Sequence, residues 1–154
     1  NTILIEGDGG FIQNMQELGT VAINKLNIKI FIFFDNGYAS IRMTQKNYFG
    51  GAYVGCDEET GLGMPCWKSL AKTYKINFMN VSKRNMSSQI DKILSTQGSF
   101  LCIVPIDPKQ TYFPKITSKI TKDGSMESNP LQEMTPDITN EERKKYLKYI
   151  GIDK

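Results

Sequence analysis

Two short breaks hold the residue types best suited to chemistry: Glu6-Gly7-Asp8-Gly9-Gly10 and Asp35-Asn36-Gly37. Each follows an apolar run, Ile3-Leu4-Ile5 before the first and Ile28-Lys29-Ile30-Phe31-Ile32-Phe33-Phe34 before the second. Open parallel α/β sheets bind ligands beyond the carboxyl ends of their strands. If the two runs are neighbouring strands, Asp8 and either Asp35 or Asn36 can share one hard cation through oxygen ligands, as Mg2+ prefers. Gly9 and Gly10 let backbone amides approach closely, and a helix starting there directs its positive end outward. That combination suits a diphosphate, which would complete the magnesium shell. Either break alone is ordinary turn punctuation. Their joint position, at the ends of two strands of one βαβ unit, is what points to a site. The first break fits neither GxxxxGK[ST] nor GxGxxG, because Phe11 and Ile12 follow in place of a third glycine.

Such turns need a sheet to hold them, and the hydrophobic pattern supplies one. Residues 3–5 read as a short strand. Residues 11–26 carry Phe11, Met15, Leu18, Val21, Ala22 and Leu26 at helical spacing. Ile28–Phe34 is aromatic and β-branched, as in a buried parallel strand. Residues 38–45 suggest a short helix, and residues 46–64 form a Gly-rich, patternless stretch of the kind that is functional or mobile. Pro65 fits the first turn of a helix to about Tyr74, with Trp67, Leu70, Ala71 and Tyr74 on one face. Residues 76–81 read as a strand, 87–97 as a helix and 100–105 as a strand. This alternation argues for an α/β fold with a parallel sheet. Beyond Pro108 the pattern lapses, with Pro114, Pro130 and Pro136 before a short helix at residues 140–150. The expected division is therefore an α/β domain over residues 1–108 and an irregular tail over 109–154 packing on the same domain.

Composition excludes several classes. The chain has 154 residues, 40% hydrophobic and 23% charged, with a net charge of +3. That charge is too small, and too evenly spread, to argue for nucleic acid. No apolar run is long enough for a membrane span. The three cysteines include no CxxC pair, which supports neither a zinc site nor a disulfide framework and suggests a reducing, cytoplasmic compartment. With no histidine, the chain supplies no Ser-His-Asp or Cys-His machinery and no HExxH metal site. Acid–base work would fall to a cofactor or another chain. The chain begins at Asn1 and enters almost at once into a strand, which reads as a fragment of something longer.

The run Glu6 to Phe11 with Gln16-Glu17-Leu18, followed by Phe34-Asp35-Asn36-Gly37-Tyr38-Ala39-Ser40-Ile41-Arg42 and Thr44-Gln45, resembles the thiamine-diphosphate-binding domain of the acetolactate-synthase-like enzymes. That family's signature is GDG, then some 27 residues on an Asn-Asn pair ending a strand; Asp35 stands at the second Asn and Phe34 at the first. Gly61-Leu62-Gly63-Met64-Pro65, leading into Leu70-Ala71-Lys72-Thr73-Tyr74, is similar to the family's mid-domain helix start. The tail, including Asp123-Gly124-Ser125 and Asn129 to Met134, resembles a subgroup found beside surface-polysaccharide genes. The resemblance implies a three-layer, doubly wound parallel sheet lacking its first strand and helix. It further implies that Mg2+ is held by the carboxylates of Asp8 and Asp35 and by the Gly37 carbonyl. Gly9, Gly10 and Phe11, with the amides of Tyr38 and Ala39, would meet the diphosphate of thiamine diphosphate, and Gly7 and Asn36 would count among the cofactor-binding residues. Ser40 and Ile41 would lie near the cofactor's reactive half. Asp35 departs from the family's Asn. Either it coordinates as a carboxylate, which spacing favours, or a one-residue shift brings Asn36 to the metal.

By the same resemblance the parent enzyme decarboxylates a 2-keto acid such as pyruvate and joins the product to a second carbonyl compound. The glutamate that activates the cofactor would come from a pyrimidine-binding domain of the same or a partner subunit, in a dimer or tetramer, and no catalytic residue is assigned here. Two other readings stand beside it: a non-catalytic α/β domain binding a nucleotide or serving as scaffold, and a degenerate, inactive relative. Trp67 and the Phe31–Phe34 cluster read as core, Glu17 as a local cap or pairing partner, and Cys66 as a buried or inert thiol. Arg42 and Gln45 face either substrate or solvent.

Overall fold

The computed structural model describes residues 2–110, 113–131, 133–136 and 138–151; Gln132, within the tail motif, lies outside them. The chain divides into two compact units, Asn1–Lys109 and Gln110–Lys154.

The first unit is a four-stranded parallel sheet. Its strands are β1 (Thr2–Gly7), β2 (Ile28–Phe34), β3 (Asn77–Asn80) and β4 (Phe100–Pro105), in the order β1-β2-β4-β3. β1 and β2 pair directly, with Gly7 opposite Phe33, so both breaks leave the sheet at the same edge. Because strand side chains alternate between faces, Ile30 and Ile32 of β2 join Leu101 and Ile103 of β4 on one side. That side is covered by Leu18, Trp67 and Ala71. Phe31, Phe100 and Cys102 face the other way, against Ile93 and Val81. Helices thus lie on both faces, giving the α/β, three-layer parallel architecture expected.

The helices follow the apolar pattern, with revised ends. The expected helix over 11–26 is three pieces: α1 (Asp8–Phe11), a 3-10 stretch (Ile12–Glu17) and α2 (Leu18–Ile23). Asn14, at φ −132°, interrupts the regular turns. The segment ends before Leu26 because Lys25 takes a left-handed φ of 51°, while the Lys25 and Leu26 amides close onto Ala22 and Val21. After β2, α3 spans Ala39–Tyr48 and runs past Gln45. α4 (Trp67–Thr73) starts two residues beyond Pro65, with Cys66 as its extended N-cap. α5 spans Met86–Ser95. The stretch 46–64 is less patternless than expected. It contains a 3-10 turn, Glu58–Thr60, closed by a capping box between Asp57 and Thr60.

Within the aromatic cluster, Phe31 is core but Phe33 is 44% exposed. Phe33 shares its face with Gly7, which has no side chain to cover it, and with Ile3 and Ile5, also exposed. Lys29, on that face, is fully buried, and its ammonium donates to Asn27 Oδ1 at 2.9 Å and to the carbonyls of Thr96 (2.5 Å) and Gly98.

The second unit holds a hairpin of β5 (Ser118–Ile120) and β6 (Met126–Ser128), and the helix α6 (Asn140–Tyr149). The hairpin was not expected. α6 was, and its capping box joins Thr139 and Glu142. None of the described helices is long and apolar enough to cross a membrane.

Candidate functional site

Asp8 is the first residue past β1 and is only 1% exposed. Its carboxylate bridges the two breaks: Oδ1 accepts from the Gly9 amide at 2.9 Å and Oδ2 from the Gly37 amide at 3.0 Å. A buried carboxylate needs such donors. Burial pushes the Asp8 carboxyl above its ordinary value; the amides of Gly37, Gly9 and Asn36 oppose this, and the nearby charge of Asp35 adds to it.

The second break is held in an unusual backbone shape. Asn36 has φ 64° and Gly37 φ 148°, both in the region that L side chains rarely adopt. Gly37 also sits in a slot, where an added Cβ would lie 2.1 Å from the Cys56 carbonyl oxygen. At Gly9 an added Cβ would meet the Tyr38 ring at 2.4 Å and the Gly37 carbonyl oxygen at 3.1 Å. Both glycines are thus required by close approach.

The other expected site residues lie around this pair. Gly7 is the last residue of β1. Gly10 is exposed, with the Glu6 carboxylate beside it. The Phe11 ring packs on Trp67, with centroids 6.0 Å apart. The Tyr38 amide donates to the Cys56 carbonyl at 2.8 Å, and its phenol oxygen accepts from Gln13 Nε2 at 3.4 Å. Ala39, Ser40 and Ile41 form the first turn of α3, where amides have no intrahelical acceptor; Ser40 and Ile41 are exposed. Asp35 Oδ1 is paired with Arg42 Nη2 at 2.9 Å.

The sequence left Arg42 and Gln45 open; the structure ties Arg42 to the second break, side chain and backbone alike, and Gln45 to the backbone of Val54. Arg42 donates to the carbonyls of Asp35 and Asn36. Gln45 bonds both the amide and the carbonyl of Val54. The segment they secure includes Cys56 and Asp57, whose part was missed. The Asp57-Glu58-Glu59-Thr60-Gly61 run is a legible cap signal that could have shown this stretch to be ordered.

A cleft of about 870 Å³ opens beyond the carboxyl ends of β2, β3 and β4, lined by Phe34, Trp67, Val81, Ile103 and Pro105. It begins at the residue before Asp35. Among the described residues, no group of three His, Cys, Asp or Glu side chains could hold a metal by itself. A cation beside Asp8 would need oxygens from backbone carbonyls, water or a bound phosphate, the shell that Mg2+ takes with one or two carboxylates. The donors present fit such a group.

Comparison with known proteins agrees with this geometry. The family model for the thiamine pyrophosphate enzyme, C-terminal TPP binding domain, matches residues 1–104. An acetolactate synthase large subunit from Cyanidium caldarium is 32% identical over 115 residues, covering 74% of this chain and 19% of that protein. The isozyme 2 large subunit of Escherichia coli is 29% identical over 115 residues, covering 74% of this chain and 20% of that protein. The chain therefore spans about a fifth of the length of these relatives. In fold, it is similar to a benzoylformate decarboxylase from Polynucleobacter necessarius, with TM-score 0.61, 19% identity and coverage of 71% of this chain and 20% of that one. With both breaks, the sheet that aligns them and residues 1–104 all in agreement, the chain belongs to the thiamine pyrophosphate enzymes, as their C-terminal TPP-binding domain.

Proposed function

We propose that this chain is the cofactor-binding part of an acetolactate-synthase-like enzyme and holds the diphosphate of thiamine diphosphate through Mg2+. The observation that carries the reading is Asp8, a fully buried carboxylate whose two oxygens span both strand-end breaks. Asp8, Asp35 and the Gly37 carbonyl would hold the cation, with Asn36 beside them. Gly7, Gly9, Gly10 and Phe11 would present backbone to the cofactor with the Ala39 amide, while Ser40 and Ile41 would lie near its reactive half; the Tyr38 amide, which donates to the Cys56 carbonyl, is already engaged. When bound, thiamine diphosphate supplies the electron sink for 2-keto acid decarboxylation and carboligation. The residues of this chain bind and orient it, and the Asp8 carboxylate stays out of water where its charge acts most strongly.

The substrate would be a 2-keto acid such as pyruvate. A pyrimidine-binding domain of the same or a partner subunit would supply the activating glutamate, in a homo-oligomer. Three free cysteines suit a reducing, cytoplasmic setting. Calorimetric titration of the full-length protein with thiamine diphosphate, with and without Mg2+, tests the reading. Binding should require Mg2+ and be lost in Asp8→Ala. Preference for ATP or NAD would overturn it in favour of a nucleotide-binding domain.

A further inference from the structure

Arg42 starts from the first turn of α3 and folds back over the second break, with its side chain only 15% exposed. Nη2 donates to the Asp35 carbonyl at 3.0 Å and to Asp35 Oδ1 at 2.9 Å. Nη1 donates to the Asn36 carbonyl at 3.2 Å and reaches the Cys56 carbonyl at 3.5 Å. Asp57 Oδ2 lies 3.9 Å from Nη1. One planar fork therefore gathers two successive carbonyls of the break, a carboxylate of the same break and the backbone of a segment fourteen residues on.

That arrangement sorts the dipoles of the turn. The carbonyls of Asp35 and Asn36 point to the guanidinium, whereas the Gly37 amide points to Asp8 Oδ2. The sorting depends on the left-handed φ at Asn36 and the positive φ at Gly37, conformations that persist only when their surroundings over-determine them. Arg42 supplies much of that determination, and the pairing of Tyr38 N–H with the Cys56 carbonyl at 2.8 Å adds a second tie. The guanidinium also offsets the charge that Asp35 brings beside Asp8. A lysine could replace the charge but not the fork.

We propose that Arg42 is a positioning residue for the cofactor site. It locks the Asp35-Asn36-Gly37 turn and ties it to Cys56-Asp57, so that cofactor affinity depends on where that segment sits. The proposal rests on the thiamine diphosphate reading above. Its test compares full-length wild type, Arg42→Met and Arg42→Lys in two measurements. One is Mg2+-dependent titration with thiamine diphosphate. The other is hydrogen exchange of the Tyr38 amide in cofactor-free protein.

Arg42→Met should speed Tyr38 exchange and weaken cofactor binding, each by about tenfold, as expected when half-buried acceptors lose a charged donor. Arg42→Lys should fall between it and wild type in both. Unchanged exchange in Arg42→Met overturns the proposal even if affinity falls, since the arginine would then act without fixing the turn. Faster exchange with unchanged affinity overturns it as well. Should Arg42→Met fail to fold, the same two criteria apply to Arg42→Lys. Wild-type protein that binds no thiamine diphosphate would refute the cofactor reading, and the positioning role with it, a failure recognisable because it precedes any substitution.

Discussion

Gly9 is held by contact. A methyl group there would lie 2.4 and 2.6 Å from two Tyr38 ring carbons. Gly9→Ala should therefore destabilise the fold by about 1–3 kcal/mol in denaturant unfolding, the range for overpacking a filled site. Combining it with Tyr38→Ala should give less than the sum of the two single losses, because the colliding partners go together; strictly additive losses would show that the ring is not the obstruction. The cysteines give a second prediction at this scale. The Ser69 hydroxyl, donating to Cys66 Sγ at 3.2 Å, leads the effects that hold that exposed thiol below its ordinary range. Burial pushes Cys102 up to about 12, against the opposing charge of Lys29. A lowered thiol carries more thiolate at neutral pH and a raised one carries less. Iodoacetamide should therefore label Cys66 first, with Cys102 following only on unfolding, as peptide mass mapping would read; comparable labelling of the two in native protein would contradict this. Much of the candidate site was legible because its residues lie in two short breaks with unusual composition. Arg42 was visible but could not be assigned, since three of its acceptors are backbone carbonyls, which any residue type carries, and its carboxylate partner Asp35 was read as a metal ligand. The Cys56–Gly37 proximity was hidden for the same reason: it is made by backbone across a long loop.

Strands were easier to read than helices, for a physical reason. β2 and β4 are buried on both faces over residues 29–32 and 100–103, so their sequences had to be nearly continuous apolar runs. Helix ends depend on local backbone choices, such as φ 51° at Lys25 or the extended Cys66, that periodicity does not record. The hairpin of β5 and β6 escaped notice because its strands are three residues each and carry no alternating core face. Lys29 was hidden inside an apolar run. It ties β2 to the turn between α5 and β4 through the carbonyls of Thr96 and Gly98. Lys29→Met should lower stability by about 1–2 kcal/mol by taking the charged donor from those half-buried acceptors, measured by denaturant midpoint. An unchanged midpoint would mean the carbonyls find water instead. At α6, Glu142 Oε2 accepts from the Thr139 amide at 2.9 Å and from its hydroxyl at 2.8 Å, which holds the carboxyl below its ordinary value. A depressed carboxyl contributes stability above its unfolded value and loses it as pH falls through the folded one. Protection of the α6 amides, taken as intrinsic over observed exchange rate, should therefore fall on acidification below the ordinary glutamate range, and Glu142→Gln should weaken that dependence.

At the scale of the whole molecule, the buried residues are confined to one part of the chain. Both core clusters are built from residues between Leu18 and Ile103, and none of the described residues beyond Ile103 is buried. The unit Gln110–Lys154 has a two-stranded hairpin and a ten-residue helix instead, and neither kind of element is more than marginally stable in water by itself. Cooperative unfolding follows from shared burial of apolar surface, so it should belong to the first unit. A chain ending at Lys109 should therefore keep a single cooperative thermal transition by circular dichroism, within about 5 °C of the 154-residue chain. It should also retain the protected amides of β2 and β4, which lie at the centre of the sheet. Loss of cooperativity on truncation would show that the second unit contributes to the core in a way its burial does not suggest.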